Sequence, residues 1–218
     1  YDDVLDNYVV TDSINSVTYL NVYNDSISDL TGIEAFTALD TLVCGFNQLT
    51  ELDVSNNTAL TQMSIGGNQL TSLDVSSNTA LTYLDCHLNQ ITSLDLSSNT
   101  ALTSLSCRHN ALTELDVSSN TALTLLNGYG NQLTSLDLSN NTALTYLTCN
   151  NNQLTYLNMK NGVTDALTTF NATNNVSLEC IETLDPDYAT ENWTYDNGNI
   201  DEGVIFSESC TATISVSP

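Results

Sequence analysis

Leucine recurs in this chain at a fixed step. Leu39, Leu60, Leu81, Leu102, Leu123 and Leu144 are each 21 residues apart. Leu42, Met63, Leu84, Leu105, Leu126 and Leu147 keep the same step, as do Asn47, Asn68, Asn89, Asn110, Asn131 and Asn152. Six copies without a slip leave little freedom. Equivalent residues must take equivalent places, so the chain stacks one small unit on the next. The consensus is L-T-x-L-x-C-x-x-N-Q-L-T-x-L-D-V-S-x-N-T-A. It is nested: "LTYLDCHLNQ" and "ITSLDLSSNTA" are 10- and 11-residue versions of one half-unit, L-x-x-L-x-(apolar)-x-x-N.

The L-x-apolar part alternates, which predicts a short strand with its apolar side chains pointing inward. The asparagine follows where the chain must turn, and its amide can bond the backbone groups that the turn frees. No repeat keeps a 3.6-residue period long enough for a helix, so both sides of each coil should be strand or extended turn. With 218 residues there is enough chain for one sizeable core. The expected fold is a mostly β repeat solenoid with coils ~5 Å apart.

Charge bounds the function. There are 26 acids against two bases, Arg108 and Lys160, for a formal net charge of −24. Such a field repels nucleic acid and anionic lipid. It suits a solvated extracellular surface, a cationic partner or divalent ions. No run of about 20 apolar residues is present, so no membrane-spanning segment is expected. The opening "YDDVLDNYVV" has no initiator Met and no signal peptide, and reads as a processed chain or excised fragment. The regular leucines argue against disorder, the other use of so acidic a composition.

On this pattern the chain resembles the leucine-rich repeat superfamily. More narrowly, it is similar to the nested 21-residue, internalin-like modules of secreted Bacteroidetes proteins. The resemblance implies a right-handed coil with short strands on stacked rungs. It also implies a secreted or cell-surface location, adjacent domains, and recognition of a protein or a glycan. Residues 1–37 read as an atypical first repeat behind a truncated cap, whose uncapped edge would invite association. There Leu20 and Val22 sit 22 residues before Leu42 and Cys44, with Asp25 in the asparagine position. Residues 38–179 form the solenoid proper; after a two-residue slip, Leu167, Phe170, Ala172, Asn175 and Leu178 regain the register. Residues 180–218 resemble the C-terminal segment of the same proteins. They read as a cap that lays Trp193 across the last coil, closed by a Cys180–Cys210 disulfide, with "TATISVSP" as a final strand or linker.

Cys44, Cys86, Cys107 and Cys149 share one repeat position with Ile65 and Gly128, and read as a buried ladder of small apolar groups. A stacked row cannot make a metal tetrahedron. Asp53, Asp74, Asp95, Asp116 and Asp137, with Asn158 as sixth member, form an outward file flanked by serines. A solvated polar face is the expectation. Calcium along the row is the alternative, although the spacing of a calcium loop is absent. A uniform row offers no pair of distinct carboxylates for glycoside hydrolysis.

The strand face around L-x-C breaks the monotony. It gathers Phe46, Tyr83, Asp85, His87, Arg108, His109, Tyr129 and Tyr146. Aromatics beside a lone arginine suit recognition. No nucleophile–base arrangement, phosphate loop or metal quartet is present, so the expected function is non-catalytic and cofactor-free. The expectation is a binding module whose variable strand face meets a protein or glycan. The alternative is a structural spacer with no ligand of its own.

Overall fold

The computed structural model describes residues 14–210. The opening "YDDVLDNYVV" and closing "TATISVSP" lie outside them, and with them the expected truncated cap, its association edge and the final strand.

The 21-residue step becomes one coil of chain per repeat. One side of every coil is a three-residue strand: β1 (Tyr19–Asn21), β2 (Thr41–Val43), β3 (Gln62–Ser64), β4 (Tyr83–Asp85), β5 (Ser104–Ser106), β6 (Leu125–Asn127), β8 (Tyr146–Thr148) and β10 (Thr169–Asn171). These pair in that order as one parallel sheet of eight strands. Leu20 faces Leu42, which faces Met63, and the file continues through Leu84, Leu105, Leu126 and Leu147 to Phe170. The 22-residue first coil and the slipped last one are therefore both in register. The middle residue of each strand from β2 onward points into the core, while its neighbours are at least partly exposed.

The other side of the coil is less regular. Among the described residues only β7 (Ser135–Asp137), β9 (Tyr156–Met159), β11 (Cys180–Thr183) and β12 (Ile205–Ser207) pair there, as a second parallel sheet. Upstream the equivalent segments are extended without strand pairing. Between the two sides lies one continuous core of leucines, valines, isoleucines and the four free cysteines.

Two asparagine ladders hold the turns. In the first, the Asn68 side-chain oxygen accepts the Leu49 N–H of the preceding coil at 3.0 Å. Its amide donates to the Cys44 and Ile65 carbonyls, at 3.1 and 2.9 Å. Asn89, Asn110, Asn131, Asn152 and Asn175 repeat this arrangement. In the second, Asn78 donates to the Val54 and Asn57 carbonyls at 3.0 and 2.9 Å, and Asn99, Asn120 and Asn141 follow suit. Backbone groups freed at every turn are thus bonded inside the molecule, where leaving them unpaired would cost about 1–3 kcal/mol each. Asp25 stands at an asparagine position but is exposed; its backbone N–H, with that of Ile27, is accepted by Asn47.

The C-terminal cap copies what a further coil would have done. Asn199 donates through its side chain to Phe170 O at 2.8 Å and accepts the Ala172 N–H at 2.7 Å. The Asp201 carboxylate takes the N–H groups of Asn174 and Asn175, both at 2.8 Å. Helix α1 (Pro186–Asn192) begins with Pro in its first turn, and the Asp185 side chain accepts the Tyr188 N–H at 3.0 Å. Just beyond it Trp193 stacks on Phe170, with ring centroids 4.2 Å apart. The disulfide between Cys180 and Cys210 closes the segment, with a Cα–Cα distance of 5.8 Å.

Candidate functional site on the strand face

Beyond each strand the chain makes the same turn, and it requires a left-handed residue. That residue is Asn24, Phe46, Gly67, Leu88, His109, Gly130, Asn151 and Asn174 in successive coils, with φ between 52° and 71°. Glycine takes this conformation without cost, whereas a side chain with a Cβ is strained there by about 1–2 kcal/mol. Phe46 and Leu88 are nevertheless 43% and 41% exposed. They gain little burial in return for that strain.

This position and the one before it carry the aromatic rings, and glycines make room for them. A Cβ on Gly66 would meet the His87 ring at 2.1 Å, and one on Gly67 would meet the Phe46 ring at 3.0 Å. The His87 ring lies back over Gly66, its Nδ1 2.7 Å from Asp85 Oδ1. Tyr23, Phe46 and His87 then form a chain of ring contacts at 5.4 and 5.9 Å. A second cluster begins on the next coil, where His109 meets Tyr129 edge-on at 4.5 Å, over Gly130.

The eight residues singled out in the sequence therefore fall on one face, but not as one site. Phe46, Asp85 and His87 belong to the first cluster, and His109 and Tyr129 to the second. Tyr83 is 38% exposed on β4 and Tyr146 is half-buried on β8. Arg108 lies between the clusters, with no carboxylate within 4 Å among the described residues. His87 and Asp85 are less available than their position suggests, with side chains only 12% and 16% exposed. The sequence reading missed Tyr19, Tyr23 and Leu88. The two tyrosines lie in the 22-residue first coil, outside the aligned copies, and Leu88 looks like one more repeat leucine. The signal that finds Leu88 is register: Gly67 and Gly130 occupy its position in other coils.

The opposite face has another character. Ser55, Ser76, Ser97, Ser118 and Ser139 each donate a backbone N–H, at 2.9 Å, to Oδ1 of the aspartate two residues earlier. The serine hydroxyls and then these amides hold Asp53, Asp74, Asp95 and Asp116 below the usual carboxylate range. The aspartates line shallow grooves floored by Leu52, Leu94 and Leu115. Asn158 departs from the outward file. It is buried, with Glu182 of β11 paired beside it in the second sheet. Lys160 pairs there with Glu182, which also accepts the Cys210 N–H at 3.0 Å. Among the described residues no cluster of three or more His, Cys, Asp or Glu gathers that could hold a metal ion.

Cys44, Cys86, Cys107 and Cys149 are fully buried and unpaired. Burial pushes the thiols of Cys44, Cys107 and Cys149 up to about 12, so they stay protonated and inert.

The overall fold is shared with solved structures. The chain superposes on internalin C2 of Listeria monocytogenes with a TM-score of 0.71, covering 91% of this chain and 84% of that one at 21% identity. The chain is a leucine-rich repeat solenoid. This solenoid is also similar to the leucine-rich effector protein YopM of Yersinia pestis, at 26% identity and a TM-score of 0.55, over 76% of this chain and 42% of that one. Internalin J of L. monocytogenes is 45% identical over 47 residues, which span 22% of this chain but 5% of that protein. No protein-family model matches the chain. Among the described residues no helix is long and apolar enough to cross a membrane.

Proposed function

We propose that the chain is a non-catalytic recognition module of a secreted or cell-surface protein, and that the strand face is its binding surface. Folds of this internalin-like kind typically mediate protein–protein interaction. One observation carries the assignment to the strand face. Phe46 and Leu88 are bulky, exposed and held in left-handed backbone positions that glycine fills in two other coils. Strain kept at an exposed side chain is a mark of a functional surface rather than of a scaffold. The aspartate face has the opposite pattern, being uniform and hydrogen-bonded to itself.

The test compares two variants of equal burden. One carries Tyr83→Ala, Arg108→Ala and Tyr129→Ala; the other carries Asp74→Asn, Asp95→Asn and Asp116→Asn. Both are screened beside the parent on arrays of extracellular proteins and glycans. The strand-face variant should lose the parent's ligands and the aspartate variant should keep them. The reverse result would move the binding surface to the other face. No ligand for the parent on any array would leave the spacer role standing.

A further inference from the structure

The outward residue at the start of each strand forms a straight file through the large sheet. It reads Tyr19, Thr41, Gln62, Tyr83, Ser104, Leu125 and Tyr146, in unbroken register. Tyrosine therefore stands on the first, fourth and seventh strands. With strands ~4.8 Å apart, successive tyrosines are ~14 Å apart along the solenoid axis. Tyr19 is 58% exposed and Tyr83 38%.

Charge is almost absent around this file. Eight strand-and-turn segments make up the face: residues 18–24, 40–46, 61–67, 82–88, 103–109, 124–130, 145–151 and 168–174. They contain two of the 26 acids, Asp40 and Asp85, and one base, Arg108. Both acids are engaged. Asp40 accepts the Thr61 hydroxyl at 2.7 Å and the Thr41 hydroxyl at 3.2 Å, and Asp85 is held to His87. A molecule of net charge −24 thus presents one long face that is nearly neutral, aromatic and rich in hydroxyl and amide groups.

Resting on the strand-face reading above, we propose that this face binds a linear, uncharged polysaccharide laid along the solenoid axis. Tyr19, Tyr83 and Tyr146 would be its stacking platforms. A regular row of platforms matches a regular polymer. A polyanion is repelled by the body of the protein, and a polycation would find its complement on the aspartate face instead. Tyrosine offers a ring face to the C–H surface of a sugar and keeps its hydroxyl in water. The threonine, glutamine, serine and asparagine side chains between the rings supply partners for sugar hydroxyls. A charged protein rim would meet little complementary charge here.

The geometry sets a length rule. An oligosaccharide shorter than ~14 Å reaches one platform, and one longer than ~28 Å reaches all three. Affinity should climb steeply between these lengths, because each later contact is intramolecular.

The experiment is native affinity electrophoresis of the intact chain through xyloglucan, galactomannan, arabinoxylan, laminarin and dextran. Alginate and polygalacturonate serve as anionic counterparts, and a protein array is run in parallel. At least one neutral polymer should retard the parent, equally at about 50 and about 500 mM NaCl, where screening lengths differ several-fold. Its trisaccharide should bind at least about tenfold more weakly. Tyr83→Ala should weaken binding about tenfold, Tyr83→Phe should retain it, and the triple Tyr→Ala variant should abolish it with an unchanged melting curve. Retardation by no neutral polymer, or by the anionic ones alone, overturns the proposal. If a protein ligand is nonetheless lost in the triple variant, the strand-face reading survives that failure. A polysaccharide that still binds the triple variant overturns both.

Discussion

The two faces of this molecule are built on one repeating backbone and treat it differently. On the aspartate face nearly every coil repeats the same Asp and Ser, and each carboxylate is satisfied by its own turn. On the strand face the coils share their inward apolar residues and the threonine that precedes each strand from β3 onward. The outward residues vary, and some are strained. The backbone does not require that variation, since the other face manages without it. On the proposed reading, the difference separates residues that serve the fold from residues that serve contact. It also extends inward. The asparagines below the strand face bond through both ends of the amide, whereas in the second ladder the oxygens of Asn57, Asn78, Asn99, Asn120 and Asn141 have no partner among the described residues.

That contrast can be broken at several points. The largest effect belongs to the ladders. Asn89→Ala orphans the Leu70 N–H and takes one of two donors from each of the Ile65 and Cys86 carbonyls, and should cost about 3 kcal/mol in urea unfolding. Asn99→Ala loses two hydrogen bonds but orphans no group, since the Val75 and Asn78 carbonyls keep the N–H groups of Asn78 and Leu81, and it should cost about 2 kcal/mol. Equal losses would mean that the unpartnered oxygens of the second ladder are irrelevant to the difference. Next comes Gly66→Ala, whose new methyl collides with His87. It should lower stability by about 1 kcal/mol, and His87→Ala in the same chain should restore most of that in a double-mutant cycle.

Leu88→Gly should be close to neutral in thermal melting. Relief of about 1–2 kcal/mol of left-handed strain offsets the added flexibility of the unfolded chain. A large loss would show that Leu88 serves the fold, against the reading of the strand face. The smallest effect is on the aspartates. Their carboxyls lie lower in the folded chain than in the unfolded one, so the stabilisation is present above the usual carboxylate range and fades as pH falls through the folded values. Melting temperature measured from pH 6 to 3 should therefore fall less in the triple Asp74, Asp95 and Asp116→Asn variant than in the parent.

The period alone located the core. A 21-residue step places Leu84 over Leu105 whatever else the coil does, and the structure keeps that register through the irregular first and last coils. Side-chain availability was harder to read. His87 looks exposed in sequence, yet it is folded onto Gly66 and paired with Asp85, which depends on two residues one coil apart. The left-handed turn was hidden because Phe46, Leu88 and His109 carry no conformational signature of their own. Asn158 shares a repeat position with outward aspartates and is buried, with Glu182 of β11 paired beside it. Contacts made by the cap have no period and leave no trace in the repeat.

The first asparagine ladder gives the molecule a direction in time. Each asparagine reaches back, so the turn of one coil is completed by a side chain that has not yet been synthesised when that coil emerges. Asn68 finishes the coil of Leu49, Asn89 that of Leu70, and Asn175 that of Leu154. A chain leaving a ribosome or a translocation pore thus always carries one unfinished coil at its growing end. Asn199 and Asp201 are the residues that end this relay, and until they emerge the growing tip presents open backbone donors to whatever chaperone stands at the exit.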